Sequence, residues 1–293
     1  MTKRFNIVDG LIVIVISIIT LSCLIPIVNT IMISLSDKAS VAMGKVTFWP
    51  VNFNTNSYRE LLKDTRFFTS FGVSVRRVLL AAGISTTLSV VMAYPLSKDV
   101  RVFPARNIYV WAMVITMLFN GGLIPTFLLI RNLGIMDTIW ALVLPGAVDV
   151  FNTIILINFY KGIPRSLEEA ALMDGAHPFY ILFLIYVPLS KAAIATITLF
   201  TAVYHWNAFF DGRIYINTLS KQPLQTYIQS LSAQLNLSTL QNMSTEQLLK
   251  RIEVSDITFN AAKAIVSMIP IIAIYPFLQR YFITGIVLGA VKE

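Results

Sequence analysis

Two adjacent carboxylates, Glu168 and Glu169, open the run Glu168-Glu169-Ala170-Ala171-Leu172-Met173-Asp174-Gly175-Ala176, which lies between two apolar stretches. Glu, Ala, Leu and Met are strong helix formers. Pro164 followed by Ser166 supplies a start signal, Gly175 a stop, and Pro178 lies shortly beyond. The spacing predicts a short charged helix standing outside the membrane. Its chemistry is that of docking into another protein.

Catalysis finds no comparable support. No G-x-x-x-x-G-K-[ST] is present, so the chain has no evident phosphate-cradling loop. His177 and His205 fall on opposite sides of the expected membrane and cannot share a metal. Neither stands beside a paired nucleophile with an orienting carboxylate. Cys23 is the single cysteine and lies in an apolar run, which excludes an intramolecular disulfide. No bound cofactor is expected.

Four cations, Arg76, Arg77, Lys191 and Lys263, lie within or near apolar runs. Such charges are costly in a bilayer. Near span ends they reach the headgroups by snorkelling, unless they face a water-filled path and attract an anionic solute. Tyr204-His205-Trp206-Asn207-Ala208-Phe209-Phe210-Asp211 offers aromatic faces beside amide, imidazole and carboxylate groups, a set that suits a sugar. It equally suits an interfacial aromatic belt. Asn120, Tyr204, His205, Trp206, Asn207, Arg76, Arg77 and Lys263 are the candidate lining of a solute path.

The elements that must position these groups are membrane helices. Hydrophobic residues make up 56% of the 293 residues and charged residues 13%, with mean hydropathy +0.72. A soluble domain carries roughly 25% charged residues. The net charge of +8 comes from Lys and Arg that punctuate apolar runs and form no stripe with interleaved aromatics, so no nucleic-acid partner is expected. Lys3-Arg4 followed by the run from Leu11 to Ile33 reads as an uncleaved first helix, longer than a signal-peptide core. A span needs about 20 apolar residues, and six segments qualify: 11–33, 72–96, 108–130, 138–160, 182–208 and 260–282. The expected fold is therefore an all-α integral membrane protein with one domain over 1–293 and six transmembrane helices. The small residues Ala81, Ala82, Gly83, Ser85, Thr86, Thr87 and Ser89 predict a helix–helix interface. Asn120-Gly121-Gly122 with Pro125 predicts a break in the third span, read either as a static kink or as a flexible point near a gate.

Short-loop charges set the orientation. Lys98, Arg101 and Arg106 mark one loop, Lys161 and Arg165 another, and Lys3 and Arg4 the N-terminus, against Arg131 alone in the loop around 131–137. Both termini and the loop 161–181 are thereby expected in the cytoplasm, with 34–71 and 209–259 outside.

With Ile185 and Val187-Pro188, the acidic run reads E-A-A-x3-G-x9-I-x-V-P. It resembles the EAA loop of permease subunits in binding-protein-dependent ABC importers, with Val187 where Leu is usual. Phe119 to Pro125, Leu133-Gly134, Asp137 to Leu142, Trp206-Asn207, Pro223-Leu224-Gln225 and Gly285 to Lys292 extend the resemblance over most of the chain. They are similar to the smaller permease of carbohydrate importers, in the branch for oligo- and polysaccharides. The resemblance implies the type I importer permease fold in a bacterial cytoplasmic membrane. It also implies a second homologous permease, an ATPase pair carrying ATP and Mg, and an extracytoplasmic solute-binding protein that contacts the loop at 211–257. Glu168, Glu169, Ala170, Ala171, Asp174 and Gly175 become the ATPase-coupling residues, with Glu169 engaging the ATPase, and the C-terminal tail reaches toward the ATPase pair. The competing class is a secondary transporter or channel subunit for a small polar solute. It would favour an inverted repeat or mid-membrane ionisable relays, and neither is evident.

Overall fold

The computed structural model describes residues 7–234 and 257–290, with side chains placed for 10–230 and 257–274. Lys3, Arg4, residues 235–256 of the expected binding-protein loop 211–257 and residues 291–293 lie outside the described residues. All regular structure among the described residues is helical. The chain divides into two compact units, 1–67 with 228–269, and 68–227 with 270–293.

The first unit begins with α1 (Ile7–Ser34), apolar on every side. None of its most apolar stretch is buried within the chain, which fits a helix solvated by lipid or by another subunit. A polar cap follows. Ser34 Oγ and the Tyr58 hydroxyl are 2.8 Å apart, Val51 N donates to Ser36 Oγ, and Asp37 caps α2 (Lys38–Ala42). After α3 (Asn56–Lys63), the Asp64 carboxylate accepts from Phe67 N at 3.0 Å and so caps α4 (Thr65–Ser97).

The second unit holds the rest of α4 and then α5 (Arg106–Leu118), α6 (Leu123–Asn132), α7 (Trp140–Val143), α8 (Val150–Lys161) and α9 (Arg165–Met173). It continues through α10 (Pro178–Ile181), a π-helical turn at Leu182–Tyr186, α11 (Val187–Leu189), α12 (Lys191–Asn207), α13 (Phe210–Tyr215) and the start of α14 (Leu224–Gln234). The last helix, α15 (Ile257–Ala290), contributes to both units.

Expected spans one, two and six are unbroken helices, but the other three are bent pairs. α5 and α6 meet at 113°. Gly122 has φ +89°, a backbone region that residues with a Cβ avoid, and its N–H is held by Asn120 Oδ1 at 2.8 Å. The break foreseen at Asn120-Gly121-Gly122 is thus a full change of direction and exceeds a kink. The stretch at 140–161 bends by 46° around Gly146–Asp149, and 178–207 bends by 83° at Ser190.

In the second unit one core joins α4, α8 and α12, and another packs α6, α7 and α13. Val90, Ala93 and Leu96 of α4 pack with Leu156, Ile157 and Tyr160 of α8, with Ile181, Leu182 and Tyr186, and with Ile197 of α12. The small-residue run packs as its composition predicts, with Ala81, Ser85 and Ser89 each 1% exposed. A hydroxyl seam accompanies it: Thr86 meets Thr198 at 2.9 Å, and Thr153 donates to Ser89 at 3.2 Å. Bonds of this kind add about 0.6 kcal/mol each between membrane helices, so close packing carries most of the stability.

Candidate coupling site and transport path

α9 is the helix that the acidic run predicted, with the boundaries that Pro164 and Gly175 implied. Gly175 has φ +78°. Its N–H bonds Leu172 O at 3.0 Å, and Ala176 N–H bonds Ala171 O at 2.9 Å. This pair of bonds is a Schellman cap, and Ala171 and Ala176 pack together against the core. The helix end is therefore fixed as well as the helix.

The two glutamates of α9 have different surroundings. Glu169 is exposed. Glu168 turns inward, where Lys98 Nζ lies 2.6 Å from both carboxylate oxygens. The Tyr186 hydroxyl donates to Glu168 Oε2 at 2.7 Å and the Tyr94 hydroxyl to Oε1 at 3.3 Å. Lys98 also donates to the Tyr186 hydroxyl at 3.0 Å and lies 3.9 and 4.3 Å from the Tyr94 and Tyr186 ring centres. Burial pushes the Glu168 carboxyl up, but the bonds from Lys98, Tyr186 and Tyr94 outweigh it and hold the group below its ordinary value. At Lys98 burial prevails over the single carboxylate, and the ammonium also lies below its ordinary value. A cleft of about 470 Å³ opens beside the pair, lined by Lys98, Arg106, Arg165, Glu168, Glu169 and Leu172.

The path candidates separate. Arg77 is fully buried and does not snorkel. Its Nη1 donates to Asp211 Oδ1 at 3.2 Å and to Ala208 O at 3.3 Å. Nη2 pairs with Asp211 Oδ2, and Nε donates to His205 Nδ1 at 3.3 Å. Lys263, in the first unit, is 2% exposed, pairs with Asp64 at 2.8 Å and lies over the Phe259 ring. An unpaired charge in such a place is prohibitive, so each cation is matched by a carboxylate distant in sequence. Sequence alone supplied the cations and left their partners unseen. Arg76 remains exposed, as does Lys191.

Tyr204 to Asn207 divides in the same way. His205 and Trp206 are buried, with Trp206 edge-on to Phe71 at 5.6 Å. Tyr204 and Asn207, three residues apart on one face of α12, are exposed, as is Asn120 at the break. Asp137 carries a role that sequence reasoning missed. At φ +57° its carboxylate accepts from Asn217 N, Thr218 N, Thr218 Oγ1 and Lys221 Nζ at 2.7–3.0 Å. The bond from Lys221, followed by those from Thr218, holds the Asp137 carboxyl far below the usual carboxylate range. An aspartate just after Gly134 was the available signal, because Asp tolerates left-handed backbone.

No family model matches the chain. It is 37% identical over 272 residues to the polygalacturonan/rhamnogalacturonan transport system permease protein YtcP of Bacillus subtilis (strain 168), covering 93% of each chain. It is 36% identical over 275 residues to protein LplC of the same organism, covering 92% of this chain and 89% of that one. Among solved structures, a chain from a bacterial ABC transporter involved in the import of the acidic polysaccharide alginate matches with a TM-score of 0.83. It shares 33% identity, over 96% of this chain and 100% of that one.

Proposed function

This chain belongs to the permease subunits of carbohydrate ABC transporters, and from that premise we propose how it works as one half of an oligosaccharide import path. ATP is hydrolysed by a separate ATPase, and the permease supplies the route and the mechanical joint. The second half of the path is a homologous permease, the ATPase pair lies on the cytoplasmic side, and an extracytoplasmic solute-binding protein delivers the sugar. The membrane is the bacterial cytoplasmic membrane.

Six spans cross it, three of them bent, with both termini and the loops 97–107 and 161–181 inside. Loops placed on one side by their charges meet one another, which supports this topology. Lys98 and Asp99 of the first inner loop pair with Glu168 and Arg165 of the second. Asp137 of the expected outer loop pairs with Lys221 of the other.

The observation that carries the coupling reading is the division of labour on α9. Glu168 is committed within the permease, and Glu169 is left exposed on a helix whose C-terminal end is fixed by the Gly175 cap. Such a helix moves as a block with what it is packed against. Closure of the ATPases would draw α9 with it and turn the path outward. Arg77 and Lys263 are matched by carboxylates, so they give no support to an acidic solute. What supports an acidic oligosaccharide is the likeness to the alginate importer.

Glu169→Lys should lose co-purification of the ATPase and uptake of labelled oligosaccharide, while membrane insertion is kept. Like charge at a docking contact costs several kcal/mol. Retained ATPase binding and uptake would refute the docking role. In a Cys23→Ser background, Ser220→Cys should react with an impermeant thiol reagent on intact cells, and Ser166→Cys only after permeabilisation.

A further inference from the structure

The Glu168 carboxylate is hydrogen-bonded to Lys98, Tyr94 and Tyr186 of its own chain. It is held by Lys98, which follows the last residue of α4, and by Tyr94 in the final turn of that helix. Its third partner, Tyr186, ends the π-helical turn Leu182–Tyr186. A π turn inserts a residue into the helical register and often marks a functional site. Here it belongs to the segment whose Tyr186 side chain, 4% exposed, reaches the carboxylate. Tyr94 and Tyr186 rings meet edge to face at 5.0 Å, and Tyr160 of α8 backs Tyr186 at 5.2 Å.

We propose that Glu168, Lys98, Tyr94 and Tyr186 form an ion-pair cage that transmits movement of α9 to α4 and to the helix run starting at Pro178. They would be positioning residues for coupling and not docking residues. The inference rests on the reading that α9 docks on the ATPase through Glu169.

Apart from the cage, α9 is held by the Ala171 and Ala176 contacts and by Arg165–Asp99, whose side chains are 72% and 49% exposed. An exposed pair of that kind is weak. Without the cage α9 would lose its polar ties to α4 and to Tyr186. Glu168 and Glu169 are consecutive, so a displacement at one Cα acts about 3.8 Å from the next. The cage is also suited to survive movement. An ammonium with three donors and two hydroxyls can rotate as the carboxylate shifts, so the bonds are carried along.

The test uses the whole importer in proteoliposomes, measuring solute-stimulated ATP hydrolysis and uptake together. Glu168→Gln and Lys98→Met should keep the ATPase at the wild-type ratio and keep hydrolysis. Solute moved per ATP should fall about tenfold, within the ordinary range of a coupling effect. Lys98→Arg, which keeps the charge, should restore most of it. Tyr186→Phe keeps the packing, removes one bond and should give a smaller loss. It carries the test alone if Glu168→Gln fails to accumulate. Unchanged solute per ATP in Tyr186→Phe and in every variant that assembles would overturn the cage. Retention of ATPase binding in Glu169→Lys would instead overturn the docking reading on which it rests.

Discussion

Two cations attached to α4, some twenty residues apart, solve the same electrostatic problem in different ways. Arg77 meets Asp211, 134 residues away, and Lys98 meets Glu168, 70 residues away. Arg77 has no exposed surface, and its planar fork is matched by a bidentate carboxylate, a carbonyl and an imidazole nitrogen. Each acceptor must keep its direction. Lys98 and Glu168 are 12% and 18% exposed, and every donor between them sits on a rotor. The Arg77 knot fixes the end of α12 and the start of α13 against α4. The Lys98 cage holds a helix that has to move. Guanidinium geometry suits the first task and ammonium the second.

The largest effect should come from breaking the knot. Removing one partner of a buried pair costs about 3–5 kcal/mol, and Asp211, 27% exposed, places this case near the lower end. Arg77→Met should lower the melting temperature of the purified chain and its accumulation in membranes. Arg77→Lys should recover little, because it loses the fork. Full recovery by lysine would mean that charge alone suffices and would erase the contrast with Lys98, where arginine is expected to substitute.

Acid should open the cage and spare the clamp at Asp137. The Glu168 carboxyl lies below its ordinary value of 4.5, so its stabilisation is complete above that value and is lost as pH falls through the folded value. Thermal stability should therefore be flat from about pH 8 to 5, by the ordinary carboxylate range, and decline below it. The decline should disappear in Lys98→Met, which removes the strongest of the bonds that lower this carboxyl. Asp137, held far lower by Lys221 and Thr218, should release its loop only at more acid pH. Hydrogen exchange at stepped pH in 165–176 and 213–221 distinguishes the two. Simultaneous release would show that α9 does not depend on the cage.

What sequence reveals here follows the range of the forces involved. α9 was legible to the residue because Pro164 and Gly175 act locally, through a fixed φ and a positive one. The small-residue run was legible because packing faces recur at helical spacing. The 113° turn at Gly122 was legible only as a weakness, since glycine permits a direction and does not choose it. Arg77, Lys263 and Lys98 were visible as charges and were assigned to headgroups, a solute path or topology. Their partners Asp211, Asp64 and Glu168 come from distant segments, and no local pattern announces a long-range ion pair. Asp137 was passed over as part of a loop for the same reason. The unequal roles of Glu168 and Glu169 also depend on which face of α9 meets α4.

The smallest effect is expected at Arg76, the neighbour of the knot and the remaining exposed member of the cationic path candidates. α4 has 33 residues and is about 50 Å long at 1.5 Å per residue, whereas the hydrocarbon core is about 30 Å thick. If its Lys98 end lies at the cytoplasmic surface, about 20 residues reach back to the level of Arg77. Arg76 then stands at the outer headgroups, with its charge in a wet environment. A carboxylate 4 Å from such a charge gains about 1 kcal/mol in bulk water, against about 4 in a confined cavity with an effective dielectric of 20. Arg76→Gln should therefore leave uptake of neutral and of acidic oligosaccharides within about fivefold of wild type, the most that about 1 kcal/mol allows. A selective loss of acidic uptake, approaching a hundredfold, would place Arg76 in a confined path beside the knot. Arg77 would then hold the wall while its neighbour reads the solute's charge.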